Sequence, residues 1–374
     1  MGAALAFELH GADGVARVGR LRTPHGDVQT PAFMPVATYG AVRGISPDEL
    51  TRAGAQIVLA NTYHLHERPG EQIVEKCGGL HGFTGWRGPW LTDSGGFQVT
   101  SLADSARVDE DGVTFSSPVD GTRRQLTPEN AVAIQEALGA DIAMVLDECI
   151  PATGDTDSVR TRAAMERTLR WAERARRARR RGDQWLFGIV QGGGDAALRR
   201  TSARATCDIG FDGYAHGGLG LGEDASARTA MLAIAHEELP ASAPRYLMGI
   251  GRPVDLVDAI ANGVDLFDCV LPTRHARHGV LFTRAGLLRL RNARYRDDPL
   301  PPEPGCDCET CARFSRAYLR HLLRAGESLA GRLASLHNLR FYLRLMEESR
   351  AAIRVGRFGA FRAEIAERCA ADLV

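Results

Sequence analysis

Eight short apolar runs set the tightest limit on what this chain can fold into. They lie at residues 31–36, 56–60, 89–92, 142–146, 186–190, 211–215, 246–248 and 264–267. Each ends in a polar or glycine-rich group and is followed by helical signals. Ser46-Pro47-Asp48-Glu49 is a capping box with proline at the first helical position, and Thr127-Pro128 opens another helix that runs to about Leu138. Helical patterns also occupy 157–181, 195–206 and 224–238. Strand–helix alternation implies a parallel sheet, and eight repeats over roughly 260 residues predict an α/β fold closed into a (β/α)8, or TIM, barrel. The alternative is a doubly wound open sheet, but no GxGxxG follows the first run.

A barrel gathers its chemistry just past the carboxyl ends of its strands. Those positions hold Asp93, Asp147, Gln191, Gly217 with Gly218, Gly249 with Gly251, and Asp268. A strand-end aspartate often only caps the next helix. Three carboxylates aimed at one cleft, two of them in the unusual contexts Asp93-Ser94-Gly95-Gly96-Phe97-Gln98 and Phe267-Asp268-Cys269, favour a catalytic reading.

After residue 273 the pattern changes. Residues 274–296 contain seven arginines and no acid, and a proline-rich passage at 299–304 leads into Cys306, Cys308 and Cys311. His337 follows with 25 residues intervening, and His321 competes as a fourth ligand with nine intervening. Three thiolates and one imidazole predict a closed tetrahedral Zn2+ site with a structural role. The other five cysteines are scattered, which suits a reduced cytoplasm better than a disulfide framework. The expected organisation is a catalytic barrel over 1–297, a zinc-binding subdomain over 298–345 and a helical segment over 346–374 packed on the barrel. No secretory signal opens the chain and no run approaches the ~18 apolar residues of a membrane span, so the expected location is cytoplasmic.

The motifs already quoted, with Val190-Gln191-Gly192-Gly193, Gly217-Gly218-Leu219, Asp268-Cys269-Val270-Leu271-Pro272-Thr273-Arg274 and the CxCx2C…H site, resemble the bacterial tRNA-guanine transglycosylase family. The likeness begins at His25-Gly26, takes in Asn61-Thr62-Tyr63-His64-Leu65 and runs past His337-Asn338. It implies a (β/α)8 barrel with a zinc subdomain, and a homodimer formed through the zinc region. The implied reaction exchanges the wobble guanine of tRNAs with a GUN anticodon (Asp, Asn, His, Tyr) for 7-aminomethyl-7-deazaguanine, on the route to queuosine. Retained configuration at one anomeric carbon calls for two displacements and a covalent intermediate. The residues alone leave open which aspartate does which. The resemblance makes Asp268 the nucleophile and Asp93 the general acid/base.

The resemblance further implies that Asp93, Ser94, Gly95, Gly96, Phe97, Asp147, Cys149, Gln191, Gly217, Gly218, Leu219, Leu221 and Glu223 hold the 7-deazaguanine base. Phe97 would stack on it, Leu221 would suit the small aminomethyl base, and Glu223 would brace the loop that meets its side arm. RNA contacts are implied for Gly249-Ile250-Gly251-Arg252-Pro253-Val254-Asp255 and Thr273-Arg274-His275-Ala276-Arg277. Two departures stand out: His275 and His278 occupy positions where the family more usually has asparagine. The segment 149–154 lacks the family's commoner tyrosine.

A balance of 46 basic and 46 acidic residues argues on its face against a nucleic-acid binder. Divided along the chain, the balance disappears. Residues 1–273 carry 27 basic and 35 acidic groups, and 274–344 carry 14 and 6. The basic tract around the zinc site is suited to RNA phosphates. One rival is a retaining glycoside hydrolase, which predicts carbohydrate-stacking tryptophans by the cleft, and the chain has only Trp86, Trp90, Trp171 and Trp185. A catalytically silent RNA-binding subunit would have no use for both Asp93 and Asp268.

Overall fold

The computed structural model describes residues 5–102, 106–152 and 158–370. Thr153 and Gly154 of the divergent segment, the expected helix start at 157 and residues 371–374 of the expected C-terminal segment lie outside the described residues. The eight barrel strands, numbered here in chain order, are β1 (Ala32–Ala37), β2 (Val58–Ala60), β3 (Trp90–Thr92), β4 (Ile142–Met144), β5 (Trp185–Val190), β6 (Gly213–His216), β7 (Arg245–Leu247) and β8 (Leu266–Cys269). All neighbouring pairs are parallel, and β8 pairs with β1 through Phe267↔Phe33 and Asp268↔Met34. That last pairing closes the barrel and excludes the open sheet.

Strands buried on both faces read as continuous apolar runs, and every expected run overlaps a barrel strand. The helix starts form as the sequence chemistry requires. Ser46 and Thr127 each make a reciprocal capping box with the residue three positions on. Three small antiparallel sheets were not foreseen. Ala6–Asp13, Ala16–Thr23 and Gly26–Thr30 precede the barrel; Arg107–Val108, Val113–Ser116 and Arg123–Leu126 follow β3; and Val280–Thr283 pairs with Gly286–Arg289 after β8.

The long helix Ser328–Arg354 carries His337 and returns to the barrel rim. Asn338 Oδ1 accepts from Phe282 N at 3.0 Å, and the Tyr342 hydroxyl donates to the Gly251 carbonyl. The arginine-rich stretch near 174–181 is a surface helix end tied to local acids, with Arg174 on Glu129 and Arg179 on Asp212. Among the described residues, no helix is long and apolar enough to cross a membrane.

Candidate active site and metal centre

A cavity of about 360 Å³ opens at the carboxyl end of the barrel, and Asp93, Asp147 and Asp268 all line it. Its apolar lining includes Leu59, Met144 and Ile189, and its mouth carries Phe97 and Leu221, 44% and 37% exposed. Cys149, Gly218, Leu219, Ser94 and Gly95 of the expected set also lie on its wall, whereas Gly96, Gln191, Gly217 and Glu223 do not line it. None of the four tryptophans lines it. A carbohydrate-stacking platform is therefore missing from this site.

The three carboxylates are held in different ways. Asp93 is engaged at both oxygens: Asn61 Nδ2 donates to Oδ2 at 2.6 Å and Thr62 N to Oδ1 at 2.9 Å. Burial, with the negative charge of Asp268 adding to it, pushes its carboxyl up to about 7. Asp268 receives the Tyr246 hydroxyl at 2.6 Å and Gly249 N at 2.9 Å, both at Oδ1. Neither donor touches Oδ2. Burial raises its carboxyl, and the two donors, which favour the charged form, oppose the rise. Asp147 accepts from Gln191 Nε2 at 2.6 Å, and burial pushes it up to about 6. The Cys149 thiol is pushed up to about 12 by burial and the nearby Asp147, so it is no nucleophile at neutral pH.

Glycine is required where Gln191 must pass. A Cβ on Gly217 would lie 2.3 Å from Gln191 Nε2, and one on Gly218 would lie 2.5 Å from the Ile150 carbonyl oxygen. Gly218 also has φ +72°, which disfavours any side chain. Glu223 accepts from Gly220 N at 2.6 Å and Leu221 N at 3.1 Å, which fixes the loop that carries Leu221.

Sequence reasoning gave no role to Asn61, Thr62 or Tyr246. Tyr246 sat inside an apolar run. A tyrosine that is 2% exposed must still satisfy its hydroxyl, and that was the available signal.

At the second centre, Cys306, Cys308, Cys311 and His337 are all buried, with one ligand atom from each lying within 4.8 Å of every other. His337 Nδ1 is 3.8, 3.6 and 3.3 Å from the three sulfurs, while Nε2 lies 2.7 Å from the Phe282 carbonyl oxygen. His321 is exposed and outside the cluster, so His337 supplies the fourth ligand atom. Four such donors at these spacings fit a tetrahedral ion with ~2.3 Å bonds to sulfur and ~2.0 Å to nitrogen. The cluster can hold a metal ion.

A sequence profile described as queuine tRNA-ribosyltransferase matches residues 13–371. A protein of that name from Thermus thermophilus is 55% identical over 362 residues, which cover 97% of this chain and 94% of its own. One from Nitrosomonas europaea is 54% identical over 357 residues, covering 96% of each chain. The chain belongs to the queuine tRNA-ribosyltransferase family. It is therefore a pentosyltransferase, and the barrel cavity is its candidate active site.

Two rim segments of this family member were expected to meet RNA. From the first, Arg252 is exposed and Val254 half-buried, whereas Ile250 and Asp255 are buried, Asp255 accepting from Arg228 at 2.7 Å. Pro253 starts the helix Pro253–Ala261. From the second, Arg274 is exposed, Arg277 and His275 are half-buried, and Thr273 and Ala276 are buried. Only the arginines, Val254, His275 and the backbone can face a ligand from these segments. The two unusual histidines are both engaged locally. His275 stacks on Phe282 with ring centroids 5.6 Å apart, and His278 Nδ1 lies 2.7 Å from the Arg274 carbonyl oxygen.

Proposed function

We propose that this enzyme exchanges the wobble guanine of tRNAs with a GUN anticodon for 7-aminomethyl-7-deazaguanine by double displacement. The observation that carries the assignment of roles is the unequal holding of the two aspartates. A nucleophile needs one oxygen free of donors, and Asp268 Oδ2 is untouched by Tyr246 and Gly249. An acid/base needs a pKa near the working pH, and Asp93 sits at about 7. Asp268 attacks C1′ of the wobble ribose as the glycosidic bond to guanine breaks, and Asp93 gives its proton to the departing base. The incoming base then returns a proton to Asp93, bonds to C1′ and displaces Asp268. Two inversions retain the configuration.

Asp147 accepts the N–H groups of the base edge, and Gln191 and Gly218 N serve its carbonyl. Phe97 at the cavity mouth covers the ring, Arg274 and Arg277 read the bases that flank the wobble position, and the basic tract around the zinc site holds phosphates. Zn2+ is the ion the Cys3His set fits best, and its part is to pin the subdomain rather than to react. The homodimer is proposed to form through the zinc region, where Tyr318 offers an exposed aromatic side chain.

Incubation with unmodified tRNA bearing a GUN anticodon and radiolabelled guanine tests the reading. Label enters the tRNA at the wobble position, and Asp268→Asn abolishes the covalent adduct. Folded, zinc-loaded protein that incorporates no label would sink it.

A further inference from the structure

Among the described residues, Arg199 is the largest charged side chain that is fully buried. It is 0% exposed, on the helix Ala196–Ile209, and among the described residues it forms no ion pair. Its hydrogen bonds go to backbone carbonyls alone. Nη1 donates to Val190 O and to Gly217 O, both at 3.0 Å, and Nη2 donates to Gly193 O at 2.7 Å. Burial lowers its pKa only to about 10, so the group is a cation at neutral pH. Packing does not require a charge here, and an unpaired buried cation is costly to keep. Its position suggests what the charge does.

The three carbonyls flank the parts of the wall that were assigned to the base. Val190 and Gly193 bracket Gln191, and Gly217 precedes Gly218. The last contact matters most, because Gly217 C=O and Gly218 N–H belong to one planar peptide unit. In a trans peptide the two groups point in opposite directions. With the oxygen held against the guanidinium outside the barrel wall, the N–H is directed to the other side. That side is the cavity, which Gly218 and Cys149 both line. The same unit is fixed from its flanks. Gly217 N donates to Val190 O at 2.9 Å, and Gly218 O accepts from Ala152 N at 2.9 Å. A full positive charge on a carbonyl oxygen draws electron density across the amide and makes its N–H a stronger donor, as in hydrogen-bond chains that polarise one another.

We infer that Arg199 is a positioning residue for base recognition, which aims and polarises the Gly217–Gly218 peptide so that Gly218 N–H grips the carbonyl oxygen of the bound base. The inference rests on the reading of this cavity as a guanine-type base site. Arg199 touches no substrate, and its effect is confined to bases that present a strong acceptor at that position. Guanine and 6-thioguanine separate this effect from simple loosening of the wall. Both offer the same N–H groups to Asp147, but sulfur is the weaker acceptor.

The experiment measures binding of both bases to the zinc-loaded full chain, by calorimetry, for the parent, Arg199→Lys and Arg199→Met. The parent prefers guanine. In Arg199→Met guanine binding weakens about tenfold, 6-thioguanine binding changes less, and the preference shrinks. Arg199→Lys keeps the charge but reaches fewer carbonyls, and it restores part of the preference. Circular dichroism identifies any variant that does not fold, and Arg199→Lys decides the matter if Arg199→Met is lost. Equal weakening for both bases, or an unchanged preference in the folded variants, overturns the inference while leaving the base site intact. A parent protein that binds neither base overturns the reading of the cavity, and the inference with it.

Discussion

Tyr246 donates its hydroxyl hydrogen to Asp268 Oδ1 at 2.6 Å, from a side chain that is 2% exposed. The bond favours the carboxylate and so holds down a carboxyl that burial raises. In the proposed mechanism adduct formation needs Asp268 charged and Asp93 protonated, which gives a bell-shaped pH profile. Its alkaline limb falls as pH rises through about 7, where Asp93 loses its proton. Tyr246→Phe removes a donor from the charged form, so the acid limb moves to higher pH and the bell narrows. At neutral pH single-turnover adduct formation slows roughly tenfold. An acid limb that stays in place would show that Tyr246 does not tune Asp268.

Asp147 lends itself to a change of specificity. Gln191 Nε2 donates to Asp147 Oδ2, so an asparagine can keep that bond through its own oxygen and turn an NH2 toward the cavity. Asp147→Asn then opposes the 2-amino group of guanine with a donor and offers a partner to the 2-oxo group of xanthine. Guanine affinity falls on the order of a hundredfold and the preference for guanine over xanthine collapses, as competition assays will show. Stability moves in the other direction. The folded pKa of about 6 lies above the unfolded value, so the contribution of Asp147 is full at low pH and is lost as pH rises through about 6. Asp147→Asn is therefore more stable than the parent above that pH, by up to about 3 kcal/mol, and level with it in acid. Melting curves at both ends of the range check the sign.

The barrel was legible because its strands are buried on both faces and leave uninterrupted apolar runs. The small sheets were not, since Arg123–Leu126 carries three polar residues in four and pairs through backbone groups that no side-chain pattern reveals. Asp93, Asp147 and Asp268 could be read because each stands at or just past the end of an apolar run, and Asp93 and Asp268 do so in an odd local context. Their partners could not. Asn61 reaches Asp93 from the end of the preceding barrel strand, across 32 residues of sequence. Arg199 looks in the sequence like any basic residue on an amphipathic helix. Its role depends on three carbonyls that only the closed barrel brings together.

His337 turns one ring nitrogen to the thiols and the other to the Phe282 carbonyl, so the fold itself orients the ligand. His337→Ala weakens zinc binding by at least about tenfold, lowers the melting temperature and makes it sensitive to chelators. His321→Ala, at an exposed position outside the cluster, leaves zinc content and melting unchanged. Metal analysis of the two purified variants decides it. Loss of zinc from His321→Ala would move the fourth ligand.

Glu223 holds the Leu221 loop by its backbone. It accepts from Gly220 N and Leu221 N, and it also receives Arg228 Nη1 at 3.2 Å, whose other nitrogen Nη2 reaches Asp255 Oδ1 at 2.7 Å. All three of these side chains are at most 12% exposed. Glu223→Gln leaves one acceptor where there were two, and its amide nitrogen then faces either a backbone N–H or the guanidinium. The loop loosens, KM for the incoming base rises about tenfold, kcat is largely kept, and stability falls by about 2 kcal/mol. Asp255→Asn supplies the comparison, because it weakens the same buried arginine without touching the loop. It costs similar stability but moves KM for the base much less. If the two variants raise KM equally, the effect belongs to the packing of Arg228 and not to the loop that Glu223 holds.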